Sequence, residues 1–279
     1  MSPGVRRAAL SRTDVSGTGS HATASSTSAA RPARAGRRAK RGRRHEFIPP
    51  QHGAWAMLVV PYLAGVITAG TSWVHLPLIG AWLAGYLLSY YVFLALKSRR
   101  PHRYRRQLIL YGALTLPLAA VVVTARPAVL WYAPAYAVLL SVNAVYAWRR
   151  RERALGNDFA AVLQSCLMVL VAATVAGAHP AAPAVAFVAC TAYFAGTAFY
   201  VKTMIRERGN PSYRRWSIAY HLTALVLSVG LSPLLVGFFG WLLARAWVLP
   251  RRRLTPLHVG LIEMGNCVFL LAALALLAR

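Results

Sequence analysis

Acidic residues are scarce in this chain, which has six Asp and Glu against 32 Lys and Arg among 279 residues. Charged residues together make up only 14% of the chain, whereas hydrophobic residues make up 57%. Such a composition, with a mean hydropathy of +0.47, excludes an ordinary soluble domain. It predicts a polytopic membrane protein.

Cysteines are also few, and Cys166, Cys190 and Cys267 each lie singly in an apolar segment. Without a C-x-x-C pair or a His at ligand spacing, they indicate neither a disulfide framework nor a zinc site. We expect them to be small buried side chains. The chain also has no Walker loop, no G-x-G-x-x-G after a strand and no H-E-x-x-H motif, so the sequence identifies no cofactor and no metal site.

The first 45 residues contain no apolar core, so we do not expect a secretory signal peptide there. Their richness in Arg, Ser, Ala and Thr predicts a disordered basic tail at residues 1–45, followed by one transmembrane helical domain at residues 46–279. An organellar transit peptide has a similar composition and stays an alternative. The simplest role for the tail is attraction to anionic lipid headgroups.

Long apolar runs fill the rest of the chain. At about 20 residues per crossing, they predict an all-α bundle of about nine transmembrane helices, and tight turns leave a count of eight open. The predicted spans are 53–70, 76–96, 108–124, 128–148, 159–177, 183–202, 215–230, 232–249 and 257–277.

The basic residues fall in the tail and in alternate loops, and only Arg126 and Arg279 lie elsewhere. This distribution satisfies the positive-inside rule at every loop if the N-terminus is cytoplasmic. It argues against nucleic-acid binding, since the charge follows the membrane topology and does not form one basic surface. We therefore predict a multi-pass protein of the cell membrane, whose inner loops and tail face anionic lipid headgroups.

Four of the six acidic residues are predicted at or within the inner ends of helices: Glu152, Asp158, Glu207 and Glu263. Glu263 is the most informative, because it lies about 9 Å along the last helix at 1.5 Å per residue. An unpaired ionised side chain at mid-bilayer costs about 2.5 to 3.5 kcal/mol. Glu263 therefore predicts a partner or a function.

Other polar side chains share this half of the membrane. His221 lies at a comparable depth in the seventh helix, Asn266 is three residues beyond Glu263 on the same helix face, and Asn143 and Gln164 belong to the fourth and fifth helices. The outer half has hydroxyl groups and boundary histidines. This asymmetry predicts a polar cavity open to the cytoplasm.

Two inner loops have related sequences, "RERALGND" from Arg151 and "RERGN" from Arg206. Each supplies guanidinium groups, a carboxylate and an amide, which can hold an anionic headgroup or a carboxylate–metal–phosphate bridge. The structural alternatives are simple. Arg and Glu can pair at helix ends, Asp158 can cap the fifth helix, and Lys202 can extend to the headgroups.

Four segments, "PPQHGAWAMLVVPYLAG", "ERALGND", "GTAFYVKTMIRE" and "HVGLIE", together resemble the YwiC-like family of bacterial integral membrane proteins. The resemblance spans about Ile48 to Leu277 and implies a multi-pass membrane protein without an established activity. The polar positions that it carries over are Gln51, His52, Glu152, Asn157, Asp158, Lys202, Arg206, Glu207 and Glu263. We expect His52 to stand at the mouth of the cavity, opposite the loops with Asp158 and Glu207.

These residues, with His221 and Asn266, form the predicted site for an anionic or lipid-like ligand. One alternative is an intramembrane prenyltransferase, because the helix count and sidedness are similar to the UbiA superfamily. The loop after the second helix, "KSRRPHRYRR", lacks the carboxylates that such enzymes use to bind magnesium diphosphate. Two further alternatives are a small-solute transporter that uses Glu263 and His221 and a membrane assembly factor. The sequence therefore does not decide whether the protein is an enzyme.

Overall fold

The computed structural model describes residue 47 and residues 52–179 and 181–279. The predicted tail at residues 1–45, Gln51 and the side chain of His52 lie outside the described part of the chain, so their predicted roles stay predictions.

Within the described residues the secondary structure is helical, with nine α-helices and three short 3-10 segments. This confirms the all-α prediction and the count of nine. The helices are α1 (His52–Ala69), α2 (His75–Ser98), α3 (Arg105–Ala125), α4 (Ala133–Trp148), α5 (Leu155–Ala176), α6 (Ala184–Ile205), α7 (Pro211–Ser228), α8 (Pro233–Val248) and α9 (Pro256–Leu277).

Three helices begin with the same local device, a polar cap residue directly before a proline. Asn210, Ser232 and Thr255 precede α7, α8 and α9, and each side chain accepts a hydrogen bond from a backbone N–H of the first turn. Proline suits the following position because its missing N–H would have no partner inside the helix. These short dipeptides therefore determine where the last three helices start.

In the part of the chain that the structure describes, seven helical segments are long and apolar enough to cross a membrane, which confirms a multi-pass membrane protein. The apolar stretch of α1 is shorter than these seven. Helix α7 begins with Pro-Ser-Tyr-Arg-Arg and is less apolar.

Helices α1 and α5 form the centre of the bundle. Helix α1 packs against α5, α6 and α9, and α5 also contacts α2, α4 and α6. In the most apolar 18-residue stretch of α5, 61% is buried inside the protein. The corresponding share is 6% in the span Pro127–Trp148, which contains α4. The protein thus has a closely packed core around α5 and α1, and an edge at α3 and α4 that presents most of its surface to lipid.

Specific contacts bring the basic loops to one end of the bundle, which we call the basic end. Lys97 at the end of α2 pairs with Glu152 in the loop before α5. Arg208, after α6, donates to the carbonyl of Leu254, before α9. These pairings agree with the alternation of loops that the charge pattern predicts.

Close backbone contact between α1 and α5 depends on Gly65. A Cβ at this position would lie 2.5 Å from the carbonyl oxygen of Val169 and 2.8 Å from the Cβ of Ala172. Because the obstructing atoms are backbone and the first side-chain carbon, no rotamer change can relieve the clash.

We expect Gly65→Ala to destabilise the protein by about 1 to 3 kcal/mol, since the two central helices must move apart. Gly112→Ala is the matched control, because a Cβ at Gly112 in α3 meets nothing within 4 Å. Unfolding in detergent micelles measures both variants. Equal stability of the two would contradict the close approach.

Candidate functional site

Four helices meet at a buried ion pair near the basic end. Arg245 of α8 donates through Nη1 to the Oε1 atom of Glu263 of α9. The Arg245 side chain is completely buried, and that of Glu263 is 13% exposed. Breaking one member of such a pair leaves a buried charge without compensation, which is far more costly than loss of a surface pair.

Helix α6 presents a polar stripe to this pair. Tyr193, Thr197 and Tyr200 are spaced by four and three residues, so they share one helix face. Thr197 Oγ1 donates to Glu263 Oε2 at 2.8 Å, and Tyr193 Oη lies 3.2 Å from the same oxygen. The guanidinium carbon of Arg245 lies 4.0 Å from the centroid of the Tyr200 ring, a cation–π contact.

Helix α7 contributes His221, which is almost fully buried. Its Nδ1 lies 2.7 Å from the carbonyl oxygen of Ser217, and its Nε2 lies 3.3 Å from Nη2 of Arg245. The carbonyl can only accept and the guanidinium can only donate, so this network assigns a neutral imidazole with its proton on Nδ1. Gly196 of α6 permits this position, because a Cβ there would lie 3.1 Å from His221 Nε2.

Asn266 extends the network along α9. Its Nδ2 donates to Glu263 Oε1 at 3.2 Å, and its Oδ1 accepts from the indole N–H of Trp241 at 2.9 Å. We call the set of Tyr193, Thr197, Tyr200, His221, Trp241, Arg245, Glu263 and Asn266 the Arg245 cluster. It is compact, and it places a cation, a carboxylate and a neutral imidazole in direct contact.

Three buried polar atoms in and next to this cluster have no hydrogen-bond partner within the described part of the chain. They are Nε of Arg245, the hydroxyl of Tyr200 and Oγ of Ser217. Buried polar groups are satisfied in the great majority of proteins, so such atoms call for a water molecule or a ligand. Two of these atoms belong to the cluster itself, and Ser217 lies one helical turn before His221.

The loops at the basic end hold a second set of predicted residues. Lys202 pairs with Asp158 and donates to the carbonyl of Arg153 at 2.9 Å. The expectation that Lys202 extends to the headgroups is therefore wrong, since its side chain is largely buried in an ion pair. Helix α5 begins at Leu155, four residues earlier than predicted, and Asp158 lies in its first turn and not at its cap.

Glu152 and Asn157 stabilise the loop before α5. Lys97 Nζ lies 2.7 Å from Glu152 Oε1, and Asn157 Nδ2 donates to the backbone carbonyl of Glu152 at 2.9 Å. Partial burial raises the pKa of Glu152, but the hydrogen bond from Lys97 and the nearby positive charges outweigh burial, so the pKa is lowered overall. At neutral pH this carboxylate is ionised.

The "RERGN" loop serves mainly to end one helix and start the next. Arg206 is the C-cap of α6, and the Glu207 carboxylate accepts a hydrogen bond from Asn210 Nδ2 at 3.0 Å. The side chain of Asn210 in turn caps α7. The sequence signal for this use is Asn210 directly before Pro211, since Asn at a cap and Pro at the first position mark a helix start.

The predicted residues thus fall into separate groups. Glu263, His221 and Asn266 meet in the Arg245 cluster, whereas Asp158 and Lys202 form their own pair. Asn143 donates to Gln164 at 2.9 Å as a further interhelical contact. Among the residues 52–179 and 181–279, no group of three or more His, Cys, Asp and Glu is placed to hold a metal ion.

Arg245 is the main residue that the sequence interpretation missed, because it was counted among the basic residues of an inner loop. The sequence did indicate it, because Arg245 lies within an apolar run, three residues before the end of α8. The aromatic and hydroxyl residues of α6 gave a weaker signal in their spacing. Neither signal reveals which acid is the partner.

Comparison with known proteins shows which family this chain is similar to. The family described as "YwiC-like protein" matches residues 48–173. The chain is 34% identical to "Uncharacterized protein YwiC" of Bacillus subtilis over 240 residues, covering 82% of the chain and 97% of that protein. It is 31% identical to an "Uncharacterized protein" of Haemophilus influenzae, covering 78% and 93%. No solved structure matches the chain significantly.

We expect Arg245→Met and Glu263→Met each to lower the free energy of unfolding by about 3 to 5 kcal/mol, because each leaves a buried charge unpaired. The double variant should cost much less than the sum, since no charge is left. Denaturation in detergent micelles for all four proteins gives the coupling energy.

Glu152→Gln is the control variant, because it breaks the solvent-accessible Lys97–Glu152 pair. Its loss of unfolding free energy should be at most about 1 kcal/mol. Additive losses for Arg245 and Glu263, with no coupling, would be incompatible with a buried ion pair.

Proposed function

The chain belongs to the YwiC-like family of multi-pass membrane proteins, and on this premise we propose that it binds a small anion at the Arg245 cluster, from the cytoplasmic side of the membrane. The observation that carries this proposal is the buried guanidinium with an unused Nε donor, in a cluster where the hydroxyls of Tyr200, whose ring contacts the guanidinium, and of Ser217, whose carbonyl contacts His221, also lack a partner.

These three groups together suit an anionic oxygen ligand. Arg donates in a planar fork that matches carboxylates and phosphates, and hydroxyl groups complete the coordination of the remaining oxygens. The low polarity around Arg245, which packs on the Tyr200 ring and lies fully buried, strengthens each of these interactions relative to water. An anion bound here compensates the positive charge as Glu263 does.

Glu263 is then the resident counter-ion of the site. While it is ionised it occupies Nη1 of Arg245, and an incoming anion must compete with it. Loss of the Glu263 charge frees the guanidinium for the ligand, so the carboxylate limits how tightly an anion binds. His221 keeps its acceptor nitrogen toward Nη2 of Arg245 and holds the guanidinium in place.

Binding of a small anion inside the membrane is the property that an anion transporter requires, so the proposed site favours transport among the alternatives. The carboxylates at the basic end give prenyl transfer no comparable support. Glu152 is engaged by Lys97 and Asp158 by Lys202, so they do not form the paired carboxylates of a magnesium diphosphate site.

In Glu263→Gln we expect anion binding at least about tenfold tighter than in the native protein, equal to about 1.4 kcal/mol, because the carboxylate no longer competes for Arg245. Thermal unfolding of the detergent-purified protein with phosphate, diphosphate, bicarbonate and citrate measures the stabilisation by mass action.

The Arg245→Met/Glu263→Met double variant is the control, because it removes the site without leaving a buried charge. A response of this double variant equal to that of the native protein would show binding elsewhere. Absence of stabilisation by every anion, in both the native protein and Glu263→Gln, would overturn the proposal.

The cytoplasmic orientation of the basic end is a separate part of the proposal, supported by the positive-inside rule. The native cysteines are free and buried, so single surface cysteines can be labelled selectively. On intact cells we expect a membrane-impermeant maleimide to label Thr71→Cys, in the loop between α1 and α2, and to spare Arg252→Cys until the cells are permeabilised. The reverse labelling pattern would show that the basic end faces the outside of the cell and would contradict this part of the proposal.

A further inference from the structure

A groove runs along the outer face of α4, far in sequence from the Arg245 cluster. It is an open depression of about 630 Å³, and all its lining residues belong to α4 and the turn that follows it. Ala137, Ser141 and Val145 line it at intervals of four residues, so they form one stripe on the helix. Small side chains at Ala137 and Ser141 give the groove its depth.

Two arginines close the groove at the basic end. Arg149 continues the stripe of every fourth residue, and Arg151 also lines the groove. On a continuing helix these residues, two positions apart, would point in nearly opposite directions. Both can face the groove only because the chain changes direction between them.

Arg150 makes this change of direction. It has a left-handed φ of +56°, and the N–H groups of Arg150 and Arg151 donate to the carbonyls of Ala147 and Tyr146 at 3.0 and 2.8 Å. This is a Schellman motif, in which the left-handed position is usually glycine. A non-glycine residue in this conformation costs about 1 kcal/mol or more, so an arginine there is an unusual choice.

The positive charge of this pair is not neutralised by neighbouring acids. Glu152, the next residue along the chain, pairs with Lys97. Among the ion pairs of the described residues none includes Arg149 or Arg151, and both side chains belong to exposed residues. The groove therefore combines an apolar channel at membrane depth with two available guanidinium groups at one end.

We propose that this groove binds one anionic phospholipid of the bilayer, with its phosphate between Arg149 and Arg151 and one acyl chain along the stripe from Val145 to Ala137. The charge argues for this occupant. A neutral lipid or an apolar helix of another protein leaves the guanidinium groups unused, whereas a phosphate accepts their hydrogen bonds in pairs. Basic pockets at the ends of transmembrane helices recognise anionic headgroups in this way.

The test is native mass spectrometry of the detergent-purified protein with phosphatidylglycerol or phosphatidylcholine of identical acyl chains. We expect the native protein to retain one phosphatidylglycerol with at least fivefold preference over phosphatidylcholine. Arg149→Gln/Arg151→Gln should lose this preference. Ser141→Leu should lower retention of the lipid by filling the groove, while leaving both arginines in place.

Two controls separate a specific site from general attraction. Arg252→Gln/Arg253→Gln removes the same charge from another loop at the basic end, and Arg150→Gly removes a neighbouring charge while preserving the left-handed turn. Both should retain phosphatidylglycerol as the native protein does. Equal loss in the Arg252/Arg253 variant, equal retention of the two lipids by the native protein, or full retention by the Arg149/Arg151 variant would each overturn the proposal.

Discussion

The ion pair between Arg245 and Glu263 is the interaction on which the second half of the bundle depends. Neither charge is tolerable alone inside an apolar span, so α8 and α9 must keep the register that brings the two together. The remaining carboxylate oxygen then requires donors, which α6 supplies through Thr197 and Tyr193. The guanidinium in turn orients His221 of α7. Satisfying one buried pair therefore determines how four helices meet.

The first half of the bundle is subject to a different constraint. Its centre depends on the close approach of α1 and α5 at Gly65, where packing of small residues holds membrane helices together without ionic groups. Away from this centre, α3 and α4 have few protein neighbours and face lipid along most of their length. The two proposed sites follow this division, because an anion site needs the shielded half and a lipid site needs the exposed edge.

The nine helices were predictable because crossing a bilayer requires long apolar runs, and the alternation of basic loops excludes most other counts. Helix starts were less predictable. Three predicted starts, at 108, 159 and 215, came three or four residues late, because the apolar content begins after the polar turn that forms the first hydrogen bonds. Asp158 illustrates the error, since a residue expected at a cap lies inside the first turn of α5 and pairs with Lys202.

For the candidate site, the sequence by itself determined which side chains are too polar for their depth: Glu263, His221 and Asn266 stood out because burial of such groups in apolar spans is costly. The sequence could not determine their partners. Only the tertiary structure decided that Glu263 pairs with Arg245, 18 residues away on the preceding helix, and that Lys202 meets Asp158. The reason is physical: hydropathy records the cost of burying each residue alone, whereas pairing depends on the rotation and packing of whole helices.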